Sequence, residues 1–222
     1  MKKILFTLAY LFLIQLAYAQ GGNETVFIFN EFETAKVHFK NKTITITPMN
    51  YDAAKSRMCF MQDGTIMELT NAAAIDSIVW SEQSRKFITH GRLFLEEIKL
   101  SNNTVYINWK VRNVNTGSKG ALGIRTQAKV EAINIRALGV YSNEDNKNHI
   151  DIYELKNNNE YYLPIQEKWE KIKTPKQLIQ LFPEYKEEIN TYIKNRKVDA
   201  TKTTAMLQLI EFCSNLRMTD TK

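Results

Sequence analysis

The sequence predicts an α+β fold, with an antiparallel β-rich body followed by three short helices. From Thr25 to about Leu163, apolar residues recur with a period of two, which is typical of half-buried strands. Near Trp169 the period becomes helical. Because no helical pattern separates the strands, we expect a sandwich, a roll or a partly open barrel rather than a parallel, doubly wound sheet.

Two hairpins are predicted first. Residues 35–39 alternate in polarity and, after a turn, so do residues 43–47. Residues 57–61 and 65–69 are joined through Asp63-Gly64, a pair that accepts the positive φ angles of a tight turn. Further strands are predicted at 75–80, 85–89, 94–100, 127–135, 149–155 and 160–163.

The clearest strand pattern runs from Thr104 to Arg112. Tyr106 alternates there with buried-type neighbours such as Val105 and Ile107, so it is expected on the solvent face. The sequence predicts that this strand continues without a break through Trp109 and Val111.

The helical segment begins with a recognisable start signal. Thr174 and Gln177 have capping-box spacing, and Pro175 occupies the first helical position. Pro183 ends this helix and starts a second, and a third is predicted over about 202–216. The expected organisation is a signal peptide at 1–19, a β-rich domain at 20–165, and a helical segment at 166–222 that packs on or beside the sheet.

The first nineteen residues have the three parts of a secretory signal. Lys2 and Lys3 precede an apolar stretch at 4–16, and Ala17-Tyr18-Ala19 forms an A-x-A cleavage site. The apolar stretch is shorter than the roughly 20 residues that a membrane-spanning helix needs. We therefore expect cleavage, no retained transmembrane segment, and a periplasmic or extracellular location.

The charge pattern argues against one class of partner, and the two cysteines permit one covalent bond. Cleavage removes two lysines from a formal net charge of +6, and the remaining basic residues of the helical segment alternate with acids, so no nucleic-acid partner is expected. Cys59 and Cys213 permit a disulfide in an oxidising compartment, although both also suit buried positions as small hydrophobes.

Several short segments together resemble a broad group of small exported proteins of unknown function from Gram-negative bacteria. The resemblance lies in residues 50–52, 58–64, 69–78 and 86–87, the GSKGALG turn at 117–123, the Leu-Phe-Pro step at 181–183, and Tyr-Ile-Lys at 192–194. It implies an envelope or extracellular setting and a β-rich body with a helical tail. It implies no activity and no functional residues.

Recognisable catalytic and metal motifs are absent, so neither an enzyme nor a cofactor is predicted. Tyr106 and Tyr153 belong to a generous supply of aromatic side chains, and Lys119 lies in the Gly-rich turn, so these three are the candidate ligand-binding residues. We interpret the protein as a non-enzymatic module that binds an envelope protein or glycan. The alternatives are an envelope-polymer hydrolase with two carboxylates distant in sequence, and a structural or adhesion protein.

Overall fold

The computed structural model describes residues 25–119, 125–126, 150–165 and 168–219. Within them, ten strands form one antiparallel sheet in the order β13-β12-β8-β7-β6-β5-β1-β2-β3-β4, and β10-β9-β11 form a second sheet. The strands are β1 Glu33–Phe39, β2 Ile44–Asp52, β3 Arg57–Gln62, β4 Thr65–Glu68, β5 Ile75–Trp80, β6 Arg85–His90, β7 Leu93–Lys99, β8 Thr104–Asn108, β9 Val111–Lys119, β10 Arg125–Thr126, β11 Ile150–Asn157, β12 Glu160–Ile165 and β13 Lys168–Ile172.

The order of the strands confirms the predicted fold class. Consecutive strands β1 to β4 pair as neighbours, as do β5 to β8, and β1 joins the two series by pairing with β5. Both predicted hairpins form, and Asp63 and Gly64 each have a positive φ, as a tight turn requires. The predicted strand at 127–135 and the predicted signal peptide lie outside the described residues.

The large sheet curls toward one of its faces without closing into a barrel. The ring of Tyr51 on β2 packs against Phe87 on β6, with centroids 5.5 Å apart. The Tyr51 hydroxyl donates to Oδ1 of Asn108 on β8 at 2.9 Å. The end of β2 is therefore folded back over the inner face, toward strands that lie far from it in the order of the sheet.

Two apolar cores occupy this inner face. One fills the curl between β1–β3 and β5–β7, with Trp80, Phe87 and Met58 fully buried. The other lies where β8, β12 and β13 are covered by the helices, which are α1 Pro175–Leu181, α2 Lys186–Arg196 and α3 Thr203–Thr219. Trp109 packs against both cores, so it is the side chain that connects them.

The strand predicted over 104–112 is in fact two strands of different sheets. β8 ends at Asn108 and β9 begins at Val111. The backbone between them leaves the large sheet because its hydrogen bonds go elsewhere: Lys110 N–H donates to Asn159 Oδ1, and Val111 N–H donates to the carbonyl of Ala53. Alternation of polarity does not reveal this change of partner, since it continues across the break.

The first helix begins at Pro175, as predicted. Residues 168–172, where the sequence indicated a helical period, instead form the edge strand β13, which pairs with β12. The capping box at the start of the helix is present as predicted, and Gln177 Oε1 accepts the N–H of Thr174. None of the helices among the described residues combines the length and the apolarity needed to cross a membrane.

A buried ion pair lies inside the curl. Glu96 on β7 is 3% exposed, and its carboxylate accepts hydrogen bonds from Nε and Nη2 of Arg85 and from Nε1 of Trp109. The Arg85 guanidinium also lies over the ring of Phe29, 4.8 Å from its centroid. The carboxylate is thus satisfied by a bidentate partner and an indole, which is what burial of a charge requires.

We predict that Glu96→Gln lowers the free energy of unfolding by about 2–4 kcal/mol, because it leaves the guanidinium of Arg85, whose side chain is only 22% exposed, without its carboxylate. The matched control is Lys86→Met, which breaks the neighbouring Lys86–Glu97 pair on the opposite face; the Lys86 side chain is 43% exposed, so the expected cost is below about 1 kcal/mol. Urea denaturation measures both. Equal losses in the two variants would contradict the prediction.

Candidate functional site

The outer face of the large sheet is the one turned away from both cores. It carries a continuous row of aromatic, charged and aliphatic side chains. Residues directly opposite each other in antiparallel strands share a face. The observed register therefore aligns one outer row across seven strands. From β13 to β1 its members are Lys171, Tyr162, Tyr106, Glu97, Lys86, Val79 and Lys36.

Four rings gather at one end of this face. Trp169 on β13 stacks on His90 with centroids 4.4 Å apart, and it lies 4.7 Å from Tyr106. Tyr162 lies 6.2 Å from His90. Trp169 contacts His90 although β12, β8 and β7 lie between their strands in the order of the sheet. We call His90, Tyr106, Tyr162 and Trp169 the aromatic platform.

The platform is packed underneath and open above. Leu95, which shares the outer face with Glu97 two residues later, is fully buried. Tyr162 is 7% exposed, whereas His90, Tyr106 and Trp169 keep part of their surface in solvent. The part of these rings that stays exposed is presented at low conformational cost, because neighbouring side chains already fix the rotamers.

Beside the platform lies a buried carboxylate, that of Glu160 at the start of β12. Its side chain is 4% exposed. Oε2 accepts Nδ2 of Asn108 at 3.0 Å and the hydroxyl of Tyr162 at 3.3 Å. Oε1 receives three ammonium groups, from Lys173 at 2.7 Å, Lys171 at 2.8 Å and Lys110 at 3.5 Å. We call these three residues the lysine cluster.

The lysine cluster explains the electrostatics of Glu160. Burial alone raises the pKa of this carboxyl group, but hydrogen bonds from Lys171, Lys173 and Asn108, together with the charge of Lys110, outweigh burial and lower the pKa to about 2. Burial and the Glu160 charge raise the pKa of Tyr162 to about 12. At neutral pH Glu160 is therefore ionised and Tyr162 is a neutral hydrogen-bond donor.

Glu97, a second acid on the outer face, forms an ion pair with Lys86. Glu97 accepts Lys86 Nζ at 3.0 Å, and its side chain is 13% exposed. Burial first, and then the Glu97 charge, raise the pKa of Tyr106. The Glu97–Lys86 pair has no net charge. The lysine cluster, in contrast, places three cations around the single anion Glu160, so the surface next to the rings has a local excess of positive charge.

Of the three candidate ligand residues from the sequence, the structure brings Tyr106 into the platform. It places Lys119 and Tyr153 in the three-stranded sheet, where Lys119 pairs with Ile150 and Tyr153 with Asn115. The side chains of Lys119 and Tyr153 lie outside the description, so their part in ligand binding stays a prediction.

Sequence reasoning missed most of the site. Trp169, Lys171 and Lys173 occur at every second position, which is the signal of one strand face, but the apolar helical pattern that follows obscured it. Glu160 and Lys110 carry no local signal, because their meeting depends on how β12 pairs with β8.

The disulfide permitted by the sequence is not formed in this structure. Cys59 on β3 and Cys213 on α3 are both buried free thiols, and Cys213 belongs to the core beneath the helices. Burial raises the pKa of Cys59 to about 11 and that of Cys213 to about 12. Both are therefore protonated and unreactive at neutral pH, as expected for small buried hydrophobes.

A second concave feature lies between α2 and α3. It is a shallow groove of about 730 Å³, lined in part by Tyr192, Arg196 and Phe212. Tyr192 and Phe212 stack on each other with centroids 4.2 Å apart, much as Trp169 and His90 do. The platform is the stronger candidate because it joins a third partly exposed ring, that of Tyr106, and lies beside a cluster of lysines.

No cluster of three or more His, Cys, Asp or Glu residues that could hold a metal ion occurs in the described part of the chain. Comparison with known proteins adds no further constraint: no protein-family model, no curated protein and no solved structure matches this sequence. The geometry of the outer face is therefore what supports a functional proposal.

We predict that acid destabilises the protein through Glu160. Its pKa in the folded chain lies below the ordinary value of 4.5, so its contribution to stability is complete above about pH 5 and is lost as the pH falls toward 2. The loss should be on the order of 2 kcal/mol, after allowing for the solvent exposure of the lysines. Urea denaturation between pH 5 and pH 2 measures it.

Glu160→Gln should remove this component of the pH dependence, because an amide does not titrate. Glu187→Gln, which changes an exposed acid on α2, is the matched control and should keep the wild-type slope. A Glu160→Gln protein with the same acid sensitivity as the wild type would contradict the assignment.

Proposed function

We propose that the protein is an exported, non-enzymatic binding module that holds a saccharide of the cell envelope against the aromatic platform. The observation that carries the proposal is the convergence of His90, Tyr106 and Trp169 as partly exposed rings on a face that the helices leave uncovered. Sugar rings have an apolar C–H face that packs on aromatic rings, and hydroxyl groups that bind charged side chains at the edge.

The cellular location expected from the signal peptide is consistent with a saccharide ligand. A cleaved signal peptide would deliver the protein to the periplasm or the cell surface, where glycans are abundant. The platform is a surface of the sheet and not an enclosed cavity, so it suits one stretch of a longer chain better than a small molecule that must be surrounded.

A hydrolase is the less favoured interpretation of the same face. Glu97 and Glu160 are distant in sequence but lie on the same face of the sheet. Glu97 is directly opposite Tyr106, and Glu160 precedes Tyr162, the partner of Tyr106, by two residues. They are therefore a candidate pair of catalytic carboxylates for a glycosidase. A general acid needs a raised pKa, whereas the pKa of Glu160 is lowered to about 2. Its two oxygens are also occupied by five hydrogen-bonding or ionic partners.

We predict that Trp169→Ala weakens saccharide binding at least about tenfold, because it removes the ring that contacts both His90 and Tyr106. The probes are soluble galacto-, chito- and cello-oligosaccharides and oligogalacturonides, and the measurement is isothermal titration calorimetry. Tyr192→Ala, which removes one ring of the helical Tyr192–Phe212 pair, is the matched control and should bind as the wild type does. Failure of every saccharide to bind the wild-type protein would overturn the proposal.

A second candidate function, a structural or adhesion role, is favoured by one observation. β4 is an edge strand of the large sheet, and its Ile66 and Met67 are 46% and 44% exposed. An unpaired, apolar edge is a template for another strand, and a second copy of β4 could pair with it across a two-fold axis.

For this role we predict that the wild-type protein forms dimers at micromolar concentration, and that Ile66→Lys keeps it monomeric by placing a charge on the edge. Lys42→Gln, in the β1–β2 turn, serves as a control that leaves β4 unchanged. Sedimentation velocity measures the distribution. A wild-type chain that is monomeric throughout the concentration range would exclude this role.

A further inference from the structure

The lysine cluster has more cationic charge than its buried acid can neutralise. Lys110, Lys171 and Lys173 approach the same oxygen of Glu160, so their ammonium groups are close neighbours of one another. Three positive charges against one negative charge leave a formal excess of two, held next to the platform. Such an excess repels itself unless a further anion or solvent screens it.

Glu160 has no further acceptor capacity to offer these three lysines. Its Oε2 is already engaged by Asn108 and by the Tyr162 hydroxyl, and its side chain is 4% exposed. Each ammonium group has three N–H donors, and Lys171 and Lys173 each use one on Oε1, whereas Lys110 acts on Glu160 through its charge. The lysine side chains are 33%, 45% and 41% exposed for Lys110, Lys171 and Lys173, so the remaining donors are accessible to a ligand.

The cluster is continuous with the platform. Lys171 lies directly opposite Tyr162 and two residues after Trp169 on the same strand face. Tyr162 itself links the two, since its ring lies 6.2 Å from His90 and its hydroxyl donates to Glu160. A ligand ring on Trp169 therefore has cationic donors at its edge.

We propose that the ligand of the platform is an acidic saccharide, with a ring that stacks on Trp169 and a carboxylate that binds Lys171 and Lys173. This inference rests on the proposed saccharide-binding function and specifies its ligand class. The only acid of the outer row, Glu97, is neutralised by Lys86, so it does not offset the attraction for an anion. Glu160 acts as a buried positioning residue that holds the lysine side chains at the edge of the platform.

The test compares three probes of matched length: oligogalacturonides, their methyl esters, and neutral galacto-oligosaccharides. We expect the full-length mature protein to bind the free acids at least about tenfold more tightly than the methyl esters at low salt, with the preference falling as salt is added. Lys171→Gln and Lys173→Gln should each reduce the preference, and Lys171→Arg should retain most of it. Lys168→Gln, an exposed lysine of the same strand on its other face, is the matched control.

The possible outcomes separate the two proposals. Equal affinity for the acid, the ester and the neutral sugar, unaffected by salt or by the lysine variants, overturns the inference and leaves the saccharide-binding function intact. Binding of the free acid that survives Trp169→Ala also overturns it, because the anion would then bind without the platform. If none of the probes binds, both proposals fail. Thermal unfolding of each variant shows whether a lost preference reflects a lost fold, and the salt dependence of the wild-type protein tests the inference without any substitution.

Discussion

The outer face is organised by the need to satisfy one buried carboxylate. Glu160 starts β12 with a side chain that is almost inaccessible to water, and an unpaired charge there would cost several kcal/mol. Its partners come from β12 itself, from β8 and the break that follows it, from β13 and from the turn after β13, so the hydrogen bonds and ion pairs of Glu160 tie these segments together. Asn108 extends the same network to β2, because it accepts the hydroxyl of Tyr51 while it donates to Glu160.

Two of the buried acids of the sheet, Glu96 and Glu160, differ in the partners that satisfy them. Glu96 faces the core, and its partners Arg85 and Trp109 are packed among aromatic rings, with 22% of the Arg85 side chain exposed. Glu160 has the same need for partners, but the chain satisfies it with lysines, whose long stems reach the surface. Burying Glu160 therefore creates an exposed cationic edge, whereas burying Glu96 creates none.

The sequence predicts the parts of this architecture that depend on local patterns. The Asp63-Gly64 turn, the capping box at Thr174, and the solvent-side position of Tyr106 follow from spacing within a few residues. The break at Trp109 and Lys110 does not, because it is set by hydrogen bonds to Ala53 and Asn159 that are remote in sequence. The site was missed for the same reason: His90, Tyr106 and Trp169 come from three strands that only the register and twist of the sheet bring together.

The position of the platform also decides what kind of ligand it favours. It lies at the β12–β13 end of the sheet, where the helices cover the inner face. Support from the helical core beneath β8 and β12 holds Tyr106 and Tyr162 in place, since Ile107 and Tyr161, their immediate neighbours in sequence, are locked into that core. A set of packed rings with a cationic edge loses little conformational entropy on binding. For this reason we propose that the platform binds an internal segment of an extended acidic polymer rather than a small molecule.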